Sequence, residues 1–439
     1  ILEGLSLIYD LVELRKQRRS GENPDELPSK VEAWTVRRSA WEERVLAAHN
    51  EGIWMPLAVL QNRLSLTPRE LDILLISLAP QIDPEFLDHV ANARSSFLFR
   101  GIDVELTLGL LFHSREERFI GRSLLAPDSN LIRNGLLELH PIGTEINPHE
   151  VEIRPTESLS NFILERALLS GAMSQFCELV TPDHEWSQVI IEEEQKSLIW
   201  EVVAGEAPLQ QNLDAWGYRK VFPKGKGITL LFSGPPGTGK TTFAHAIAHR
   251  LERNLLIVHS SRLLGTREPL QPILNEIFRI AQLANAVVLL DDCEGLLADR
   301  DARFLALLES LDHNDGLLVL TTNNAPRIDF AMARRILYRL DFENPTPSQR
   351  EQIWEVHLPP GAPLAEDIDV PILANTYEFS GGKIRNTVLI ALSRLAAEGG
   401  NILSMEHLRN AAETQLGARF DDLAVKSGSA ISLDRLVLP

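Results

Sequence analysis

"ITLLFSGPPGTGKTTFAHAIAHRL" (residues 228–251) sets three local patterns end to end. A strand-like run, ITLLF, leads into a glycine-rich turn, and the turn leads into the helical stretch FAHAIAHRL. From Gly234 to Thr241 the turn fits G-x-x-x-x-G-K-S/T in the strand–loop–helix context that a phosphate-binding loop requires. The candidate phosphate set is therefore Gly234, Pro235, Pro236, Gly237, Thr238, Gly239, Lys240, Thr241 and Thr242. Its glycines let backbone N–H groups wrap phosphate oxygens, and the start of the helix adds a favourable dipole. Lys240 is expected to meet the β and γ phosphates, and the Thr241 hydroxyl to ligate magnesium. A glycine-rich turn without a ligand is the bland alternative, and the complete pattern in its proper place argues against it.

Working outward, "NLLIVHS" (254–260), "AVVLLDD" (286–292) and "GLLVLTTN" (316–323) repeat the short apolar run. Helical segments separate these runs, which predicts a doubly wound parallel sheet with ligands at the carboxyl ends of its strands. Asp291, at the end of one run, is the expected magnesium-side carboxylate. Asp292 follows as candidate base or water-orienting group. Its side chain is one methylene shorter than Glu, and a misplacement of about an ångström can cost about 10²-fold in rate. An intervening water would recover part of that loss. Glu294 is a second candidate for the role.

Asn323 ends its strand where it could bond the attacking water or the γ-phosphate. Arg334 and Arg335 stand where a cation could reach a neighbouring subunit's nucleotide, a contribution of about 10³ to 10⁵ in rate. The alternative for both is a salt-bridged helix end. In "FSGGKIRN" (379–386), Arg385 lies near a helix start after a glycine pair, within plausible reach of phosphate. His245 and His249 have i, i+4 spacing but lack the Glu of an H-E-x-x-H pattern, so they read as surface or packing histidines with no metal.

The rest of the chain bounds these readings. With 439 residues, 44% hydrophobic and 24% charged, it suits a soluble globular protein of several domains. The net charge of −18 opposes a general electrostatic grip on nucleic acid or an anionic membrane. The one dense basic run, "LRKQRR" (14–19), reads as a solvated helix face. Two cysteines build no disulfide framework or zinc-cysteine site and fit a reduced cytoplasmic compartment. No apolar run approaches the roughly 20 residues that span a bilayer. The first residue is Ile1 rather than Met, which leaves a removed leader open.

Four segments are expected: a mostly helical N-terminal domain for partner or assembly contacts (1–155), a linker and entry (156–225), the nucleotide-binding α/β domain (226–344), and a helical lid with C-terminal tail (345–439). Leu2, Leu5, Ile8, Leu11, Val12 and Arg15 mark a first amphipathic helix, and a turn-rich linker follows at 20–30. Thr67 with Glu70, and Thr346 with Gln349, read as helix-opening capping boxes. "SQVIIEEEQKSLIWEVVAG" (187–205) reads as a short strand leading into a helix.

With these motifs in this order, residues from about 185 to 415 resemble the AAA+ ATPases, and within them the AAA branch. The resemblance implies that Gly234 to Thr241 are the Walker A loop, Asp291 and Asp292 the Walker B pair, and Asn323 sensor 1. It makes Arg334 and Arg335 arginine-finger positions and Arg385 the sensor 2 arginine of the lid. It further implies ATP with Mg as cofactors and a homo-oligomeric hexameric ring that remodels a protein assembly.

"LAPQIDPEF" (78–86), "DVELTLGLL" (103–111), "GLLELHP" (135–141) and "SGGKIRNTVLIAL" (380–392) resemble bacterial AAA+ proteins encoded with contractile, phage-tail-like injection systems. The stretch 213–241 shares that likeness. Against a threading unfoldase, "SSRLLGTREPLQP" (260–272) carries no aromatic pore residue, and Pro269 and Pro272 are expected to disturb the following helix. The segment "CEGLLADRDARF" (293–304) is short for a second pore loop. The leading expectation is a slow ATPase. A nucleotide-binding scaffold or switch is the alternative, and a nucleic-acid motor is the third and least supported by charge.

Overall fold

Six short strands form one sheet, four of them carrying the nucleotide motifs, and hydrogen bonding sets their order as β3-β5-β6-β7-β4-β8. They are β3 Cys177–Val180, β4 Ile228–Ser233, β5 Asn254–His259, β6 Ala286–Asp291, β7 Leu317–Thr322 and β8 Tyr338–Asp341. Neighbours from β5 to β8 run parallel, and β3 adds an antiparallel edge to β5. Every residue of β4 and β7 is buried, as expected of parallel strands covered on both faces. The computed structural model describes residues 1–417 except 22–24, 92–100, 128, 143–150, 165–167, 170, 172, 213–215, 219–220, 222–226, 299–300, 324–328, 359–360 and 362. The entry stretch 222–226, Asp299 and Arg300 of the short segment, part of the 20–30 linker, and the tail 418–439 lie outside the described residues.

The chain forms two compact units, Ile1–Ser170 with Gln282–Ala284, and Gly171–Ala281 with Asn285 onward. In the first, helices Leu2–Ser20, Leu27–Asn50, Pro56–Leu64, Pro68–Ile82 and Val104–Leu111 surround a core that includes Ile8, Val12, Trp41, Ile73 and Leu74. An antiparallel pair, β1 Leu137–Pro141 with β2 Val151–Pro155, adds a small ribbon to the helices. The Thr67–Glu70 capping box opens its helix as the sequence predicts.

The basic run is not uniformly solvated. Arg15 is three residues after Val12 and four after Leu11, so it shares their buried face. Its guanidinium donates to the Leu106 carbonyl at 3.1 Å, and burial pulls its pKa down to about 10. Gly109 makes room for it, because a Cβ at that position would collide with the guanidinium.

Two local expectations in the second unit are corrected. No strand forms at 187–191. A 3-10 turn, Trp186–Gln188, runs toward helix Glu193–Ala204, and the edge strand is β3 instead. Trp186 packs on Phe243 and Trp200, with ring centroids 5.3 and 5.6 Å away, and Val189 is buried in the same cluster. These residues are drawn into side-chain packing rather than into a ladder. The helix Leu270–Ala284 is also undisturbed, since Pro269 precedes it and Pro272 falls in its first turn, where N–H groups lack helical partners anyway.

The lid helices Pro347–His357, Val370–Thr376, Gly381–Ala397 and Met405–Gly417 enclose Trp354, Leu373, Ile384 and Leu408. Thr346 and Gln349 form the expected capping box. Among the described residues no helix is long and apolar enough to cross a membrane.

Gly109→Ala tests the buried arginine. The added methyl must expel Arg15, at about 1–3 kcal/mol, the usual range for overpacking. Hydrogen exchange on the full chain should quicken in helices Leu2–Ser20 and Val104–Leu111 while the lid helices keep their rates.

Candidate functional site

The loop after β4 is shaped by three glycines with left-handed backbone, at φ 144° for Gly234, 78° for Gly237 and 105° for Gly239. Such angles are accessible to glycine at little cost. At Gly234 a Cβ would run into the Phe342 carbonyl. At Gly237 the constraint is the lid, whose Gly382 N–H donates to the Gly237 carbonyl at 2.9 Å. Pro235 and Pro236 are exposed, Thr238 donates to the Pro235 carbonyl at 2.9 Å, and Thr242 is half-buried in the following helix, Lys240–Arg250.

Lys240 is buried at the base of this loop. Its ammonium has three protons, and three acceptors take them: Gly234 O at 2.7 Å, Pro235 O at 2.9 Å and Asn323 Oδ1 at 3.0 Å. Burial lowers its pKa, while the carboxylates of Asp292, Glu294 and Asp291 pull the other way.

The expected magnesium ligands are brought together. Thr241 Oγ1 donates to Asp291 Oδ1 at 3.0 Å. Two residues that sequence reasoning passed over complete the arrangement. Thr321 Oγ1 donates to the same Asp291 oxygen at 2.6 Å and accepts the Asp292 amide at 2.9 Å. Ser260 Oγ donates to the Asp291 carbonyl at 2.6 Å. The sequence signal for Thr321 is weak: it is one of two threonines that end an otherwise apolar strand.

Asp292 turns out of the strand at φ 51°, in the left-handed region where a non-glycine residue is uncommon. Its Oδ1 accepts from Asn323 Nδ2 at 2.8 Å, so Lys240, Asn323 and Asp292 form one chain of hydrogen bonds. Burial, then the charge of Asp291, raise the Asp292 pKa against the opposing Asn323 bond. Glu294 accepts the Asn323 backbone amide and so holds that residue in place.

The arginines separate. Arg335 is bound to Asp312 through two 2.7 Å contacts and donates to the Ala331 carbonyl at 2.8 Å. Arg334 is exposed, with its guanidinium 4.3 Å from the Phe330 ring centroid. Arg385 is exposed in the first turns of the lid helix that touches the phosphate loop. His249 is exposed and His245 half-buried on the phosphate-loop helix.

Against known families, residues 230–344 match the profile "ATPase family associated with various cellular activities (AAA)", and residues 10–154 match "Winged helix domain, variant". A cell division cycle protein 48 homologue of Archaeoglobus fulgidus is 28% identical over 334 residues, 67% of this chain and 42% of that protein. A proteasome-activating nucleotidase of Aeropyrum pernix is 31% identical over 216 residues, 44% and 50% of the two chains. A putative 26S proteasome regulatory subunit homologue of Methanocaldococcus jannaschii is 29% identical over 223 residues, 46% and 58%. The chain thus spans 58% or less of the length of these relatives. The fold and the profile agree that it carries an AAA-family ATPase domain.

Thr321→Val removes a donor from Asp291 while keeping the shape of the side chain. Affinity for magnesium with a fluorescent ATP analogue should fall about 10- to 100-fold, the usual effect of losing a partner of a metal ligand. A magnesium titration at fixed analogue concentration reads the change.

Proposed function

We propose that this chain binds ATP with magnesium, assembles as a homo-oligomeric ring, hexameric by its resemblance, and hydrolyses ATP slowly to remodel a protein assembly. The observation that carries the proposal is the 3.0 Å pairing of Thr241 Oγ1 with Asp291 Oδ1 beside a glycine-shaped loop with a buried lysine at its base. The donor set fits the pair of groups, because a hydroxyl and a carboxylate suit a hard cation and the loop amides suit phosphate. Thr241 and Asp291 would hold magnesium, which would supply positive charge against the phosphates. Lys240 would exchange its loop carbonyls for phosphate. Asn323 would orient the attacking water, and the Asp292 carboxylate would accept its proton, aided by a raised pKa. Arg334 would reach the neighbouring subunit's nucleotide, and Arg385 would report nucleotide to the lid.

A nucleotide-binding scaffold or switch is the second proposal, favoured by the short Asp292 side chain and its tether to Asn323. A contractile injection particle as client rests only on the short motifs of residues 78–141, 213–241 and 380–392.

Steady-state ATPase across a protein concentration series, with Lys240→Ala as background, separates the two. The slow ATPase predicts turnover above background that rises with concentration, whereas the scaffold predicts background turnover with ATP still bound. Arg334→Ala should cost as much as about 10³-fold or more in turnover. Arg335→Ala should instead lower the unfolding midpoint, by up to about 1 kcal/mol for a partly exposed pair. Asp292→Glu should raise turnover in a degraded catalyst, by less than about 10²-fold.

A further inference from the structure

Beside the phosphate loop lies a cluster that the nucleotide chemistry does not use. Asp183, His184 and His245 each offer one ligand atom, and the three atoms lie within 4.8 Å of one another. The first two sit on the loop between β3 and the Trp186–Gln188 turn, and His245 comes from the helix Lys240–Arg250. The imidazole rings lie with centroids 4.9 Å apart and planes inclined at 59°. The Nδ1 atoms of both histidines are shielded from solvent and lack a hydrogen-bond partner. His184 Nδ1 is 2.9 Å from Asp183 Oδ1, an ion-pair distance without hydrogen-bond alignment. Buried polar nitrogens left this way are rare, because each forfeits the water it had when unfolded.

We infer that Asp183, His184 and His245 form a site for a zinc(II) ion. Two imidazoles and a carboxylate are a donor set for zinc and neighbouring divalent metals, and three protein ligands leave a fourth position for water. Bonds of about 2.0–2.2 Å in tetrahedral geometry hold donors roughly 3.5 Å apart, so the 2.9 Å Asp183–His184 separation must open and any wider one, within the 4.8 Å span, must close, by small side-chain movement. Asp183 is exposed and outside any helix or strand, which makes that movement easy.

The alternative is an Asp183–His184 ion pair with a second histidine tilted against it. That arrangement leaves the His245 Nδ1 unsatisfied, whereas a bound metal would give it a partner. Four residues separate His245 from Thr241, so the two share one face of the helix one turn apart. Zinc would tie the loop at 181–185 to the helix that begins at Lys240, so its occupancy is an input to the phosphate loop. The site stands independently of whether ATP is turned over.

The test uses the full chain stripped with a chelator and titrated with zinc chloride by calorimetry, then with cobalt(II) by visible absorption. One equivalent of zinc and the intense bands of four-coordinate cobalt are expected. His184→Ala and His245→Ala should abolish both, and His249→Ala, on the same helix outside the cluster, should keep them. Asp183→Asn changes only an exposed loop residue, so folding is secure, and it should weaken zinc about tenfold or more. The absence of stoichiometric uptake, a six-coordinate cobalt spectrum, or uptake unchanged in Asp183→Asn or in the double histidine variant overturns the assignment.

Discussion

The Thr321 hydroxyl is the joint on which the site depends. It donates to Asp291 and accepts from the Asp292 amide, so one oxygen fixes both the metal-side carboxylate and the backbone of the next residue. This is possible because β6 and β7 pair in parallel, with Val288 opposite Leu318 and Leu290 opposite Leu320, which brings Asp291 level with Thr321. Register set by apolar pairs in the middle of the sheet thereby determines polar geometry at its edge. A slip of one residue would send Thr321 to the opposite face, away from Asp291.

From that joint the geometry extends in two directions. Through Thr241, Asp291 is tied to the phosphate-loop helix, and through Asn323, Asp292 is tied to Lys240. The lid is joined to the same loop by a backbone bond, Gly382 N–H to Gly237 carbonyl at 2.9 Å, where a Cβ on either glycine would be crowded. A backbone bond of this kind passes movement of the loop directly to the helix that bears Arg385.

Much of this was legible in the sequence, for a physical reason. The four motif-bearing strands are continuous apolar runs, and the Walker turn is fixed by glycines whose φ values no other residue holds cheaply. What escaped depends on tertiary neighbours. Thr321 reads as one more β-branched strand residue until β6 is set beside it. Arg15 is charged, yet its spacing from Leu11 and Val12 governs its burial, and Gly109, far along the chain, makes the space. The misplaced edge strand fails for a similar cause: Val189 and the preceding Trp186 have strand-like side chains, but the aromatic cluster around Phe243 offers them more buried contact than a ladder does. The spacing of His245 and His249 says nothing of Asp183 and His184, which come close to His245 from a loop rather than from its own helix.

Two opposing energies meet at Asp292. The left-handed backbone at Asp292 favours a short polar side chain, which can bond locally, over a longer one. Strain at such positions is of order 1–3 kcal/mol, and only the difference between Asp and Glu, a fraction of that, bears on the choice. A reach deficit of about an ångström, at about 10²-fold in rate, corresponds to roughly 2.7 kcal/mol. Reach therefore outweighs backbone preference if the carboxylate works directly on water. If its task is to anchor the Asn323 amide against Lys240, the 2.8 Å bond is already the right length and added reach gains nothing. The same short side chain is a defect under one role and a fit under the other, and the chain's chemistry turns on which partner, water or Asn323, Asp292 serves.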